Sequence, residues 1–334
     1  MSPPGSGTRE QGTDPARPRR LGRLLEALRP LLRPVLGPVR AALVGPASQA
    51  DRPRGWQACV AAVERTLTHI EPSGPALRRL PAPPPYRVYG VYRRANAATV
   101  QALLASTSAP AAWWALDGPA AALSATTVGQ GPGTRFANLN RVLAARPPGP
   151  KDWVVLCDDD VAFARGRLDQ AVALAAAAGL DLAQPSHSPR SYLNWSVERH
   201  RLASRVRLNR LAEQGPLLIL SPYAQQRVLP LPEDLGMGWG IEATWAADRS
   251  LRIGIVDAVM VRHLQPVAWD GNYDIHAEID RARELMDRSS WSNWEEMQKD
   301  LGRWWWWEAA PPWATGRAQD GEGDPPRTSA PPAG

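Results

Sequence analysis

The alternation of apolar segments with helical patterns over residues 87–183 constrains the fold of this chain more than any other feature. Short β-rich runs begin at Arg87, Ala111, Asp152 and Leu180, and helical patterns separate them. Strands that alternate with helices predict a largely parallel sheet covered by helices on both faces. We therefore expect an α/β fold with a mostly parallel sheet flanked by helices.

The predicted elements of this region follow one another closely along the chain. They are the strand 87–92, helix 96–104, strand 111–116, helix 135–145, strand 152–157, helix 168–178 and strand 180–183. Further on, the sequence predicts a strand over 217–220, a glycine-rich loop over 236–240, a helix over 241–247 and one bent strand or strand pair over 252–261.

Three consecutive aspartates, Asp158, Asp159 and Asp160, follow the strand that ends at Cys157. In sheets of this class ligands bind beyond the carboxyl ends of the strands. Adjacent carboxylates raise one another's pKa unless a positive charge lies among them. A divalent cation that also binds phosphate oxygens accounts for the cluster, because hard cations prefer carboxylate ligands. The alternative is a solvated acidic turn, or a helix cap at Asp160.

Two further strand ends carry polar residues that would reach the same edge of the sheet. Arg93 follows the first strand, and an arginine fork suits a phosphate, although a solvated strand end is an equal alternative. Asp117 follows the second strand and is also explained as part of an Asp-Gly turn. Arg135 begins the helix that leads towards the three aspartates, so it is a candidate to face a bound nucleotide.

Four short motifs occur in a fixed order between residues 154 and 263. They are VVLCDDDV, LDLAQPS, WGIE and IGIVDAVMVRH. With them, residues 86–270 resemble nucleotide-sugar-dependent glycosyltransferases of the GT-A fold, and more narrowly a largely uncharacterised plant and bacterial family classed near them. In that family the position of Glu242 is commonly aspartate, so a carboxylate is kept while its reach differs.

The resemblance implies a GT-A-like, Rossmann-related α/β fold with a mixed, mostly parallel sheet flanked by helices. It also implies a role for each matching residue. Asp158, Asp160 and His263 would bind a metal ion, Mn²⁺ or Mg²⁺, and Asp158 and Asp159 would contact the nucleotide. Glu242 would be the general base that takes the proton of the acceptor hydroxyl. For His263 a structural role is the alternative, and for Glu242 the alternative is stabilisation of a helix N-terminus.

The same resemblance extends to the nucleotide. Asp117 would lie where enzymes of this fold hold the nucleobase. Arg93 lies at the end of the first strand, where a diphosphate or base would lie, and Arg135 would face the nucleotide. Trp239 offers a flat face for a sugar ring, although a core tryptophan is the simpler interpretation.

The function expected on this basis is metal-dependent transfer of a hexosyl group from a nucleotide-sugar donor to a hydroxyl of a glycan, lipid or small-molecule acceptor, with inversion. A non-catalytic protein that binds a nucleotide or glycan is the alternative. A haloacid-dehalogenase-type phosphatase also places aspartates after a strand, but it needs a downstream lysine at the site. The only lysines are Lys151 and Lys299, which argues against that class.

Composition separates the ends of the chain from its middle. Residues 1–54 hold ten arginines and four acidic residues, so this arm accounts for the whole net charge of +6. The basic character therefore gives no support to nucleic-acid binding by the body of the protein. We expect a partly disordered arm over 1–54, a catalytic domain over 55–290, a Trp-rich segment over 291–313 and a disordered tail over 314–334.

The two cysteines, Cys59 and Cys157, lie far apart in apolar runs, which is typical of a reducing compartment. The sequence shows neither a secretory pattern nor an apolar run of membrane-spanning length. We expect a cytoplasmic protein. Peripheral membrane contact stays open, either through the basic arm, where prolines interrupt an amphipathic pattern, or through the Trp-rich segment.

Overall fold

The computed structural model describes residues 60–62, 64–65, 77, 80–266, 273–289 and 294–313. The chain divides into two units, residues 1–63 and residues 64–334. The sheet and helices described next belong to the second unit. The predicted arm over 1–54 and the predicted tail over 314–334 lie outside the described residues. Within the described ranges, none of the helices combines the length and apolar character needed to cross a bilayer.

Ten strands form one mixed sheet in the described part of the chain. They are β1 (Tyr86–Tyr92), β2 (Ala111–Ala115), β3 (Thr127–Gln130), β4 (Trp153–Cys157), β5 (Val161–Arg165), β6 (Leu182–His187), β7 (Ser204–Asn209), β8 (Leu217–Leu220), β9 (Ile253–His263) and β10 (Gly302–Trp305). Their order is β10-β7-β9-β6-β8-β4-β1-β2-β3, and β5 pairs with β9.

Parallel pairing forms the part of the sheet that carries the candidate site. It joins β3, β2, β1 and β4, and it also joins β6 to β9. Between these groups β8 runs antiparallel to both β4 and β6. The predicted α/β class, with a mixed sheet whose core strands are mostly parallel, is confirmed.

Seven α-helices flank this sheet in the described ranges. They are α1 (Ala97–Leu104), α2 (Arg135–Ala145), α3 (Leu168–Ala177), α4 (Pro222–Val228), α5 (Ile241–Ala247), α6 (Ile275–Arg288) and α7 (Trp294–Met297). Residues of α1 and α3 belong to one apolar core, and residues of α2, α4 and α5 belong to another. The expectation of helices on both faces is therefore met.

Helix α2 shows how the sequence places a helix against the sheet. Phe136, Leu139 and Val142 recur every three residues and are fully buried. Burial of each such side chain contributes roughly 1.5–3 kcal/mol. Just before the first turn of α2, the Thr134 side chain accepts a hydrogen bond from the backbone N–H of Ala137. This hydrogen bond fixes where the helix begins.

Strand β1 approaches its neighbours closely because Gly90 has no side chain. A Cβ at this position would lie 2.2 Å from Cζ3 of Trp113 and 2.6 Å from the carbonyl oxygen of Cys157. The indole of Trp113 is fully buried in the space that Gly90 leaves. This contact holds β1, β2 and β4 in the arrangement that brings their carboxyl ends together.

Several elements differ from the sequence expectations. Residues 161–165 form β5, so Asp160 precedes a strand and the alternative of a helix cap at Asp160 is wrong. The strand predicted over 180–183 starts at Leu182 and continues to His187. The strand pair or bent strand predicted over 252–261 is the single strand β9, in which Asp257 accepts hydrogen bonds from the buried guanidinium of Arg207.

The Trp-rich segment contributes to the same sheet instead of standing apart. Trp304 is buried, and its strand β10 pairs with β7. Beyond it, the ring of Trp305 stacks on that of Trp307, with centroids 5.0 Å apart. Trp291 lies outside the described residues. The predicted membrane or partner contact of this segment stays a prediction.

Candidate functional site

The pairing of β5 with β9 places Asp160 beside His263. In this register Val161 is opposite His263, and the backbone N–H of Leu264 donates to the carbonyl oxygen of Asp160 over 2.9 Å. The carboxylate Oδ2 of Asp160 lies 3.2 Å from Nε2 of His263 and accepts the N–H of Gln265 over 3.2 Å. A carboxylate and an imidazole from distant parts of the sequence, both of them common metal ligands, therefore lie side by side.

The charge of Asp160 also changes the acidity of His263. Burial alone lowers the pKa of a histidine, but the hydrogen bond and charge of Asp160 outweigh it and raise the pKa of His263. A cation at this position would compete with the imidazole proton for the same nitrogen.

Asp159 points towards the first strand. Its Oδ2 accepts the backbone N–H of Arg93 over 2.7 Å. Burial raises the pKa of Asp159 to about 6, because the hydrogen bond from Arg93 and its charge compensate only part of the desolvation and the charges of Asp160 and Asp158 act in the same direction as burial. The end of β1 and the end of β4 are tied together through this carboxylate.

Asp158 has an arginine partner, which the sequence analysis did not expect. Oδ1 of Asp158 accepts Nε–H of Arg135 over 2.5 Å. The same guanidinium donates to the side chain and the backbone carbonyl of Gln214, over 2.6 and 3.1 Å. Arg135 is therefore engaged by protein groups, and its contact with a nucleotide stays a prediction.

These residues line one cavity of about 150 Å³ at the carboxyl ends of β1 and β4. Its wall contains all three aspartates, Arg93, Arg135 and His263, and also residues that the sequence analysis did not single out. The latter include Asn194, Glu213, Gln214 and Tyr273. A haloacid-dehalogenase-type phosphatase needs a lysine at its site. Neither Lys151 nor Lys299 lines this cavity, which argues against that class.

Asp117 lies beside this cavity rather than in it. Its Oδ1 accepts the backbone N–H of Arg94 over 2.7 Å, so this carboxylate links the segment after β2 to the segment after β1. Asp117 lines a second cavity of about 580 Å³, and Arg93 and Tyr273 line both cavities. The predicted contact of Asp117 with a base therefore requires a ligand that extends from the first cavity into the second.

Glu242 lies in a third cavity of about 290 Å³. It belongs to the first turn of α5, after Gly240, whose φ of +90° is a conformation that favours glycine. The carboxylate accepts the N–H of Gly240 over 3.0 Å and that of Gln214 over 3.4 Å. Asn194 and Trp239 line both this pocket and the aspartate cavity.

The environment of Glu242 favours its protonated form. Burial raises the pKa of this carboxyl to about 8, and the neighbouring charge of Glu213 adds to the rise. The backbone N–H groups of Gln214 and Gly240 reduce the rise without cancelling it. A carboxyl with such a pKa can gain and lose a proton near neutral pH, as acid–base catalysis requires.

A metal-ion site of three predicted ligands is only partly assembled. Among the described residues, the three-residue group of carboxylate and histidine ligand atoms found within 4.8 Å of one another is His187, Glu198 and Glu213. Asp158, Asp160 and His263 do not form such a group. Asp160 and His263 fit a cation as a pair, and the remaining ligands would then come from substrate phosphates and water, as is usual for Mg²⁺.

No family model matches the chain, and the search of curated proteins finds no significant relative. Among solved structures, the chain is similar to the mannosyltransferase PcManGT from Pyrobaculum calidifontis, in complex with GDP-Man and Mn²⁺. The identity is 15%, with 64% of this chain and 68% of that chain covered and a TM-score of 0.42. It is also similar to GalNAc-T7 with UDP, GalNAc and Mn²⁺, at 10% identity, 74% and 60% coverage and a TM-score of 0.46.

A third similar structure is that of S. aureus TarS 1-349 in complex with UDP-GlcNAc. Its identity is 11%, with 63% of this chain and 69% of that chain covered and a TM-score of 0.42. At these identities and TM-scores the likeness carries no argument about activity.

Proposed function

We propose that the protein transfers a sugar from a nucleotide-sugar donor to an acceptor hydroxyl. The observation that carries the proposal is the convergence of the three aspartates and His263 in one cavity, next to a pocket that contains Glu242. Departure of a nucleoside diphosphate needs compensation of negative charge, and a hydroxyl nucleophile needs a proton acceptor. The two neighbouring cavities offer groups for both requirements.

The donor diphosphate is assigned to the aspartate cavity. Asp160 and His263 offer an oxygen and a nitrogen ligand 3.2 Å apart, and we propose that they hold Mn²⁺ or Mg²⁺ together with phosphate oxygens. Such a cation offsets the charge of the leaving diphosphate. Arg93 lies between the two cavities, where its guanidinium can bind a phosphate. Asp117, in the larger cavity, is then placed to contact the nucleoside.

Glu242 is proposed as the group that accepts the proton of the acceptor hydroxyl. As the hydroxyl oxygen forms its bond to the anomeric carbon, the bond from that carbon to the diphosphate oxygen breaks, and the proton passes to the Glu242 carboxylate. The nucleophile in this step is the acceptor itself, so the configuration inverts. Glu242 lies in a pocket separate from the proposed diphosphate site. This supports a reaction in which the acceptor attacks from one side and the diphosphate leaves from the other.

The pocket of Glu242 is proposed as the acceptor site. Trp195, Trp239 and Trp294 line it, and the rings of Trp195 and Trp294 stack with centroids 4.7 Å apart. Flat indole faces suit the apolar faces of sugar rings and lipid chains. Because Trp239 borders both cavities, it is placed where the transferred sugar would lie. Localisation in the cytoplasm stays a prediction.

A second candidate function is binding of a nucleotide or glycan without turnover. One observation favours it, namely the pKa of about 8 that burial gives Glu242. At neutral pH this carboxyl is mostly protonated and cannot accept a proton unless the substrates change its environment. Such a binder would use the same cavity and the same cation ligands.

Turnover of nucleotide sugars separates the two candidates. The wild-type chain is incubated with UDP- and GDP-linked sugars and Mn²⁺, and the released nucleoside diphosphate is measured. Release that is lost in Asp160→Asn and in Glu242→Gln supports the transferase. The matched control is Asp287→Asn, an exposed position on α6, which should keep wild-type release.

Two other outcomes of this assay count against the transferase. Cation-dependent binding of donors with no release in the presence of any sugar or lipid acceptor favours the binder. The absence of both binding and release across the panel contradicts the assignment of the cavity to nucleotide sugars.

A further inference from the structure

A second group of possible ligands lies behind the aspartate cavity. His187 ends β6, Glu198 lies in the short 3-10 turn Ser196–Glu198, and Glu213 lies between β7 and β8. One ligand atom from each comes within 4.8 Å of the others. All three side chains are buried, with exposures of 1%, 0% and 4% in that order. We call these three residues the buried triad.

Backbone contacts hold the buried triad in place. His187 forms a bridge with Arg199, and the N–H of His200 donates to the carbonyl oxygen of His187 over 3.0 Å, so the turn that carries Glu198 is fixed beside β6. On the other side, the backbone N–H of Glu213 donates to the side chain of Gln184 in β6. Hydrogen bonds to the buried strand β6 therefore hold the three residues of the triad near one another.

The hydrogen bonds of His187 determine which of its two ring nitrogens carries the proton. Nδ1 lies 3.1 Å from the carbonyl oxygen of Tyr192, which can only accept, and 2.8 Å from Oγ of Ser191. Oγ of Ser191 donates to that same carbonyl oxygen over 2.9 Å, so it accepts from Nδ1. The proton of a neutral imidazole is thus on Nδ1, and Nε2 carries the lone pair. Histidine ligands of metal ions are commonly fixed in this way.

Glu198 supplies the second observation. Neither oxygen of its fully buried carboxyl has a hydrogen-bond partner of normal geometry among the described residues, although its near neighbours include the carboxyl of Glu213 and the amide of Gln184. A buried carboxyl without well-formed hydrogen bonds is costly in either protonation state and very costly when ionised. Two things could satisfy Glu198: a bound cation, or a proton shared with the carboxyl of Glu213.

Burial disfavours a net charge on the side chains of the buried triad. Burial lowers the pKa of His187 to about 3, so the imidazole is neutral. Burial raises the pKa of Glu198 well above its usual value, and the charge of Glu213 acts in the same direction. Two carboxylates and a divalent cation would together be neutral, and neutrality lowers the desolvation cost of a buried site.

We propose that the buried triad binds a divalent first-row transition-metal ion, separate from the cation of the nucleotide site. One imidazole nitrogen and two carboxylate oxygens suit Zn²⁺ or Mn²⁺. Ligand atoms about 2.1 Å from a tetrahedral zinc ion lie about 3.4 Å apart, so small side-chain rotations are needed to close the group. Glu213 also lines the aspartate cavity, so its position, and through it one wall of that cavity, would depend on this ion.

Metal analysis of the full-length chain tests the proposal without any activity assay. The protein is purified, loaded with Zn²⁺ or with Mn²⁺, dialysed to remove weakly held ions and analysed by mass spectrometry for metal per chain. We expect about one retained ion in the wild type and in Asp160→Asn, which removes a ligand of the nucleotide site. Loss of a ligand should lower the affinity at least about tenfold, and Glu198→Gln should therefore lose the ion.

Three results would overturn the proposal. The first is a wild-type chain that retains neither metal, in which case Glu198 and Glu213 share a proton. The second is retention that disappears in Asp160→Asn and persists in Glu198→Gln. The third is unchanged retention in both Glu198→Gln and His187→Ala. The wild-type measurement decides the first case even where a variant does not fold, and circular dichroism identifies such variants.

Discussion

The protonation of Glu242 predicts how the stability of the fold depends on pH. Burial raises the pKa of this carboxyl from 4.5 to about 8 in the folded chain. In the unfolded chain the group is ionised above about pH 5, so between that pH and about 8 only the folded state holds the proton. Stability linked to Glu242 is therefore fully present at low pH and is lost as the pH rises through the folded pKa.

The size of this loss follows from the two pKa values. While only the folded state is protonated, the free energy of unfolding falls by about 1.4 kcal/mol per pH unit, and the fall ends just above the folded pKa. Between about pH 6 and about pH 9 the loss amounts to roughly 2–3 kcal/mol. Glu242→Gln keeps an oxygen for the N–H of Gly240 but has no titratable proton, so it lacks this loss.

Urea unfolding of both proteins at these two pH values isolates the effect, since all other titrating groups are shared. We expect the stability of Glu242→Gln relative to wild type to increase by roughly 2–3 kcal/mol between about pH 6 and about pH 9. Curves for the two proteins that respond equally to pH would refute the raised pKa, and with it the protonation argument for this site.

Three further predictions concern packing and substrate contact. Replacing Asp257 by Asn leaves Asp300 as the remaining carboxylate partner of the buried guanidinium of Arg207 and should lower the free energy of unfolding by about 3 kcal/mol, whereas the pair Arg207→Met and Asp257→Leu should recover much of it in the same urea titration. Gly90→Ala should lower that free energy by about 1–3 kcal/mol through contact with Trp113, and a smaller side chain at Trp113 should restore part of it; an unchanged midpoint would contradict the close approach. In the transferase assay, Trp239→Ala should raise the KM for the acceptor about tenfold and leave affinity for the nucleoside diphosphate unchanged, and equal losses in both would contradict a position at the transferred sugar.

Local pattern was sufficient where an element's own sequence carries its signal. The run over 152–157 predicted β4 because five apolar residues precede three acids, and 135–145 predicted α2 because its apolar residues recur at helical spacing. Strand β5 was missed, because Val161–Arg165 is a short run directly after the aspartates and its pairing with β9 is a tertiary property. Strand β10 was missed because four consecutive tryptophans have no alternation between faces, and its pairing with β7 is a tertiary property.

The candidate site was predictable only in part for a similar reason. Residues at strand ends could be placed at one edge of the sheet from topology alone, and Asp160 and His263 do meet there. The partnership of Asp158 with Arg135 depends on side-chain reach across the cavity, which no spacing encodes. Glu198 and Glu213 are isolated acidic residues outside the motifs and predicted strand ends, and only the folded sheet brings them close to His187.

Calorimetric titration of a nucleoside diphosphate into the wild-type chain, with and without Mn²⁺, tests the central assignment most directly. The account predicts binding that requires the cation and weakens at least about tenfold in Asp160→Asn, while Asp287→Asn binds as the wild type does. Binding that is independent of the cation, or that Asp160→Asn leaves unchanged, would contradict the assignment of the aspartate cavity to a metal-bound diphosphate.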